Sequence, residues 1–252
     1  MSTNTDTNKY TILFAIGMVV IVGSLLAFTA SSLKPNIKEN ERMEKQQNIL
    51  YAMGINENGA TDIKFIGTDK VAVEFSKYIS KQLTVNADGS ADENLEAYLI
   101  DVKKEQAKAK NGGTRALPLF VGEKDEQTFY IVPIRGKGLW DAIWGYVSLD
   151  ENMVIQGAFF DHAAETPGLG ANIKQRYFMD DFVGEQLLTA TGEFKGITVA
   201  KGNNDPKNLT KDDYEVDALA GATITGDGVS AMIKSDLKLY LPYFKNLKNQ
   251  LN

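Results

Sequence analysis

The sequence has no cysteine and a single histidine, His162. The first absence excludes disulfides, thiolate-held iron–sulfur clusters and c-type haem attachment. The second excludes bis-histidine haem and multi-histidine zinc sites within one chain. A redox role would therefore fall to an organic cofactor. Lack of cysteine leaves the compartment open, because reducing and oxidising surroundings both tolerate such a chain. A basic surplus is missing as well: 27 Lys and Arg against 33 Asp and Glu give a net charge of −6, with no footprint for nucleic acid. The Gly-rich dinucleotide fingerprint is absent too. What is present is ordinary for a globular protein, since 43% hydrophobic and 24% charged residues argue against general disorder.

No charged side chain occurs from Tyr10 to Leu33, and Ile12 to Ala30 is almost continuously apolar. About 24 helical residues reach roughly 36 Å, enough to cross a hydrocarbon core of about 30 Å. A cleaved signal peptide would have a shorter apolar stretch and a small-x-small cleavage site. Phe28-Thr29-Ala30 is a poor site, so the segment reads as an uncleaved anchor. Residues 1–9 precede it as a cytoplasmic N-terminus. Lys9 lies before the span and Lys34, Lys38, Arg42 and Lys45 follow it, a balance that by simple counting would keep the following domain in the cytoplasm.

Residues 34–54 read as a polar stalk helix ending at Gly54. An α+β segment over 55–128 follows, with short helices expected across Ser76 to Ala107. Strands are expected at Leu117 to Val121, Phe129 to Ile134, Tyr146 to Leu149 and Met153 to Phe160, the last pair joined as a hairpin by Asp150-Glu151-Asn152. A helix over Phe178 to Leu188, a strand at Ile197 to Ala200, a loop at Asn203-Asn204-Asp205-Pro206 and a helix over Gly228 to Leu239 complete the pattern. The fold class expected is α+β: an N-terminal transmembrane helix, then a domain with an antiparallel sheet.

Three segments invite chemistry. Gly136 to Gly145 frames Trp140 and Trp144 with glycines and includes Leu139; an aromatic staple over the sheet is the plain alternative. His162 to Gly170 contains Glu165, Thr166, Pro167, Gly168, Leu169 and Gly170, a tight loop of little bulk that suits a planar ring or is simply a surface turn. Asp217 to Gly226 surrounds Thr223 with small residues, including Ala220, Gly221 and Ala222, just before a helix. A helix N-terminus favours phosphate. Otherwise Thr225 or Asp227 is an N-cap and the rest an ordinary loop.

In this order the three segments resemble the C subunit of the sodium-translocating NADH:quinone reductases, over nearly the whole chain. Gly138-Leu139-Trp140 and Glu165-Thr166-Pro167-Gly168-Leu169-Gly170 match the family's motifs fully. The third family motif, D-x-x-S-G-A-T, is met by Asp217, Gly221, Ala222 and Thr223, with Ala220 in place of its hydroxylated residue. The resemblance implies an FMN-binding domain over 129–245, with FMN held covalently by a phosphoester to Thr223 and installed by a separate flavin transferase. It places Asp217, Gly221, Ala222, Thr225, Thr166, Gly168, Leu169, Gly170, Trp140, Leu139 and Glu165 around the cofactor. Thr225 is the nearest alternative acceptor. The resemblance also implies other reductase subunits as partners, electrons relayed from NADH towards quinone with sodium export, an inner-membrane location and an extracytoplasmic domain. The G subunit of an Rnf-type ferredoxin:NAD complex would carry the same flavin chemistry. An anchored non-redox binding domain would carry none.

Overall fold

The computed structural model describes residues 7–59, 62–203 and 205–251. Residues 1–6 of the expected cytoplasmic N-terminus, residues 60 and 61 of the segment over 55–128, and Asn204 of the expected loop lie outside them. The chain divides into two units, Met1–Glu44 and Lys45–Asn252. Helix α1 (Asn8–Ala52), whose residues 8–44 belong to the first unit, exposes Ile12, Leu13, Phe14, Val19, Leu25, Leu26 and Phe28, and is long and apolar enough to cross a membrane. Residues 10–33 and 34–52 lie in this helix, with Pro35 inside it, while Met53 and Gly54 of the expected stalk form a turn.

The second unit is built on a six-stranded antiparallel sheet, ordered β2-β1-β3-β4-β5-β6. Its strands are β1 (Ile79–Val85), β2 (Ala91–Glu93), β3 (Leu117–Lys124), β4 (Gln127–Lys137), β5 (Ala142–Leu149) and β6 (Ile155–His162). Consecutive residues of β3, β4 and β5 are buried, so both faces are covered. On one face the residues 45–52 of α1 and helix α2 (Val71–Tyr78) pack through Tyr51 on Phe159 and Phe75 on Phe120. Gly157 lets the Ala52 carbonyl approach so closely that a Cβ would stand 2.3 Å from its oxygen. On the other face lie helices α4 (Arg176–Asp181), α5 (Thr223–Met232) and α6 (Leu241–Leu251). The six-residue α4 is held there by Phe178, which with Phe160 and Phe182 forms a ring cluster with centroids 5.0 to 5.9 Å apart. Burying each such ring contributes about 2–3 kcal/mol. Helix α3 (Val102–Lys110) is capped by Asp101, and β7 (Thr198–Val199) and β8 (Glu215–Val216) make a small parallel pair.

Two expectations need correction. Ser76 to Ala107 is not a run of short helices: Ile79 to Val85 is a strand, claimed by pairing with Leu117 to Gly122 of β3. The helix expected over Phe178 to Leu188 ends at Asp181, because Gly184 turns the chain at φ +87° and lays Gly184 and Glu185 along Ile155.

Glu185 itself is wholly buried, 3.4 Å from the Lys211 ammonium. Burial pushes its pKa from 4.5 to about 7; Asn208 and Lys211 pull it back and Asp213 adds to the rise. Between these values the folded chain holds a proton that the unfolded chain has released. Stability is therefore fullest below about pH 4.5 and is lost as pH rises through about 7. Glu185→Gln should then exceed the wild type by about 1–2 kcal/mol near about pH 8 in urea unfolding, with the gain vanishing in acid. Equal stability at the higher pH would contradict this account.

Candidate cofactor site

The three motif segments converge where β4 ends and α5 begins. Helix α5 lies against the end of β4 with almost nothing between them. A Cβ on Gly228 would stand 2.3 Å from the Lys137 carbonyl oxygen, and one on Gly136 2.8 Å from Met232 Cβ. Small residues thus set the depth of the helix. After β4 the chain turns tightly, the Gly138 amide donating to the Asp141 carbonyl at 2.8 Å, and leaves Leu139 and Trp140 exposed at the turn. Trp140 is 65% exposed, so it is no staple over the sheet. Trp144 is half-buried within β5, opposite Arg135 and Asp161.

The second segment leaves β6 at His162, whose Nδ1 accepts the Glu165 amide at 3.2 Å. Thr166 turns the loop by accepting from the amides of Leu169 and Ala171, both at 3.1 Å. Gly168 takes φ +78° in open space and is exposed, as are Thr166 and Leu169. Glu165 runs the other way: it is 4% exposed, accepting the Trp140 amide at Oε1, 2.9 Å, and the Thr225 hydroxyl at Oε2, 2.6 Å. Gly138 and Gly170 flank it, and a Cβ at either would stand 2.5 or 2.2 Å from a Glu165 oxygen. One carboxylate thus joins all three segments.

The third segment follows β8. The Asp217 amide donates to Asp181 Oδ2 at 2.7 Å, while Asn203 binds Asp217 Oδ2 through its amide nitrogen and the Ala218 N–H through its carbonyl oxygen, both at 3.2 Å. Burial, then the carboxylates of Asp181 and Asp205, raises the Asp217 pKa above the ordinary value. Gly221 adopts φ +69° with its α-carbon against Leu169, where a Cβ would stand 2.8 Å from Leu169 Cδ2. Ala222 is buried, and no side chain caps α5. The first backbone N–H groups of such a helix lack carbonyl partners within it. Thr225 is therefore not an N-cap: it lies inside the first turn, buried. Thr223 opens the helix, exposed, beside the exposed Ile224.

The motif residues brought together are thus Trp140, Glu165, Gly170 and Thr225 through the carboxylate, and Leu169 and Gly221 by contact. Asp217 stands apart, held by its own brace. Sequence reasoning missed Asp181 and Asn203, which make that brace, and Ile224. Only Asn203, in a polar turn-forming run, carried any local signal.

Thr223 is exposed at an uncapped helix start, Ile224 beside it is exposed, and the segments tied to this start through Glu165 and through Gly221 carry exposed Leu139, Trp140 and Leu169; polar donors and apolar surface together fit a phosphate-bearing planar group. The comparisons with known proteins agree with that chemistry. The FMN-binding domain family matches residues 138–238, a range that holds all three segments apart from the first two residues of the first. The C subunit of the Na(+)-translocating NADH-quinone reductase of Vibrio anguillarum is 28% identical over 91% of this chain and 90% of its own length. That of Pseudomonas aeruginosa is 27% identical, covering 91% of each. The crystal structure of the C subunit from Parabacteroides distasonis superposes with a TM-score of 0.71 and 32% identity, covering 84% of this chain and 96% of that one. NqrC of Shewanella oneidensis gives a TM-score of 0.63 and 27% identity over 84% and 98%. With sequence and fold both matched along almost the full length of these proteins, the chain belongs to the NqrC family, the C subunits of Na+-translocating NADH-quinone reductases.

Proposed function

We propose that the chain is a membrane-anchored electron-transfer subunit of a Na+-translocating NADH:quinone reductase, carrying FMN as a phosphoester on Thr223. The observation that carries this reading is the contrast between two hydroxyls. Thr223 is exposed at the uncapped start of α5, whereas Thr225, two residues on, is buried against Glu165. The flavin would supply reversible acceptance of one or two electrons. The free N–H groups of the helix start favour the phosphodiester's negative charge. Leu139, Trp140, Leu169 and Ile224 offer apolar surface to the ring, and the backbone of Thr166, Gly168 and Gly170 supplies the loop beside it.

A threonine hydroxyl is a poor nucleophile, and condensation with free FMN is uphill in water, so attachment calls for a transferase and an activated flavin. A flavin dinucleotide supplies the activation. The Thr223 Oγ–P bond forms, the pyrophosphate P–O bond breaks, and a nucleoside monophosphate leaves with the bonding pair. The hydroxyl proton passes to a base of the transferase, and no redox change occurs. NADH oxidation falls to another subunit, in keeping with the missing dinucleotide fingerprint. Coupling to sodium export belongs to the assembled complex. The domain is extracytoplasmic on this reading, because a long domain can translocate largely regardless of flanking charge.

One experiment tests chemistry and side together. Spheroplasts co-expressing the chain with a flavin transferase are treated with external protease, and a denaturing gel is read for flavin fluorescence. A fluorescent band that protease removes is the expected result. A dark band refutes the covalent flavin and favours a non-redox role. A fluorescent but protected band refutes the orientation alone.

A further inference from the structure

Each oxygen of Glu165 accepts from a protein donor, and its side chain is buried, so the carboxylate is turned to the protein and away from the surface where a ligand would lie. Its partner Thr225 lies in the first turn of α5, two residues after Thr223. Successive helical residues turn by about 100°, so positions two apart point about 200° from each other. Pinning Thr225 inward therefore turns Thr223 outward. The same carboxylate is fixed from the opposite side by the Trp140 amide. Gly138 and Gly170 crowd it, leaving little room for another rotamer.

We infer that Glu165 is a positioning residue for flavin attachment. By accepting the Thr225 hydroxyl it sets the rotation of the first turn of α5, presents the Thr223 hydroxyl to the transferase and keeps the Thr225 hydroxyl out of reach. The inference rests on the proposed attachment at Thr223. It assigns to the Glu165–Thr225 pair a task separate from holding the fold: the pair makes one of two neighbouring threonines the acceptor. In the transfer, the Thr223 Oγ–P bond forms as the P–O bond to the departing nucleotide breaks, and a hydroxyl aimed elsewhere cannot reach the phosphorus in line.

The test uses the full chain in detergent, incubated with a flavin transferase and flavin dinucleotide. It compares wild type with Glu165→Gln, Thr225→Val, Thr225→Ser and the Glu165→Gln/Thr225→Val double variant. The first readout is the initial rate of covalent flavin incorporation. The second is amide hydrogen exchange over residues 222–226 in the unlabelled proteins. Glu165→Gln and Thr225→Val should each slow incorporation about tenfold, as misplacement of a reacting group does. Thr225→Ser keeps the hydroxyl and should label at the wild-type rate. The double variant should be no slower than Thr225→Val alone, because both changes break one interaction. Exchange in the first turn should quicken in Glu165→Gln and Thr225→Val and stay at the wild-type rate in Thr225→Ser.

Wild-type incorporation rates in both single variants would overturn the inference. So would unchanged exchange in both, or a wild-type adduct on Thr225. Should Glu165→Gln fail to fold, Thr225→Val against Thr225→Ser decides the question by itself. A wild type that takes no flavin refutes the attachment reading instead. The exchange comparison then still decides whether Glu165 orders the helix start.

Discussion

Thr223→Val should give a folded protein with no covalent flavin at all, colourless after denaturation under conditions where the wild type is yellow. The effect is all-or-none because valine removes the only exposed hydroxyl of the α5 start while keeping the branched shape. Thr223 is solvent-exposed and its side chain fills no part of the core, so unfolding should shift by no more than about 0.5 kcal/mol. Mass spectrometry of the wild-type peptide should place one FMN, less one water, on Thr223 and nothing on Thr225. Retention of the adduct in Thr223→Val would move the site elsewhere. Loss of the adduct together with loss of folding would show that Thr223 is structural, against its exposure.

A second large effect is expected far from any hydroxyl. Asp236 lies in a π-helical turn, Ile233–Leu237, that continues α5, and it is 1% exposed. Its carboxylate accepts from Arg115 Nη1 at 2.8 Å, from the Arg135 amide at 2.8 Å, and from Gln106 at 3.3 Å. The turn thereby fastens α5 to β4 and to the chain leading into β3. Asp236→Ala would strand a guanidinium whose side chain is only 12% exposed and leave a strand amide unpaired. Removing one partner of a buried pair costs about 3–5 kcal/mol, far more than the pair contributes net. The midpoint of thermal unfolding should fall by roughly 10 °C for a unit of this size. Asp236→Asn keeps the acceptor for Arg135 and should lose less. A calorimetric scan in which Asp236→Ala melts with the wild type would refute the clamp.

Much of this architecture was legible because it rests on local pattern. The apolar run from Ile12 to Ala30, and the strands around Phe120, Ile131, Val147 and Phe159, each announce themselves by composition and by turn residues between them. The stretch from Ile79 to Val85 misled. Ile79 and Leu83 are four apart, as on a helix face, and only the distant pairing with Leu117 to Gly122 makes them a strand. Tertiary pairing overrode a local signal, as it commonly does for short mixed segments. At the site, the motif glycines were legible as places of close approach, but not what approaches them. Gly138 faces the Glu165 carboxylate from a distant stretch of sequence, and Gly170 faces it from within the same loop only because the loop folds back on itself. The inward turn of Thr225 was hidden for the same reason: an N-cap and a first-turn threonine look alike until the helix start is fixed.

The sheet's two margins bear on how such a protein behaves in company. Beta sheets invite edge-to-edge association wherever a run of unpaired backbone groups is left open. Here one margin, β2, is three residues long and carries Asp92 and Glu93, both exposed. At the other, β6, the Ile155 amide is taken by the Glu185 carbonyl at 2.9 Å and the Phe160 amide meets the Met179 sulfur at 3.4 Å. A short acidic strand repels a second sheet, and a folded-over loop and a thioether leave little backbone to zip against. Both borders are blunted by the chain itself, which leaves little open backbone for the sheet of a second copy to pair with.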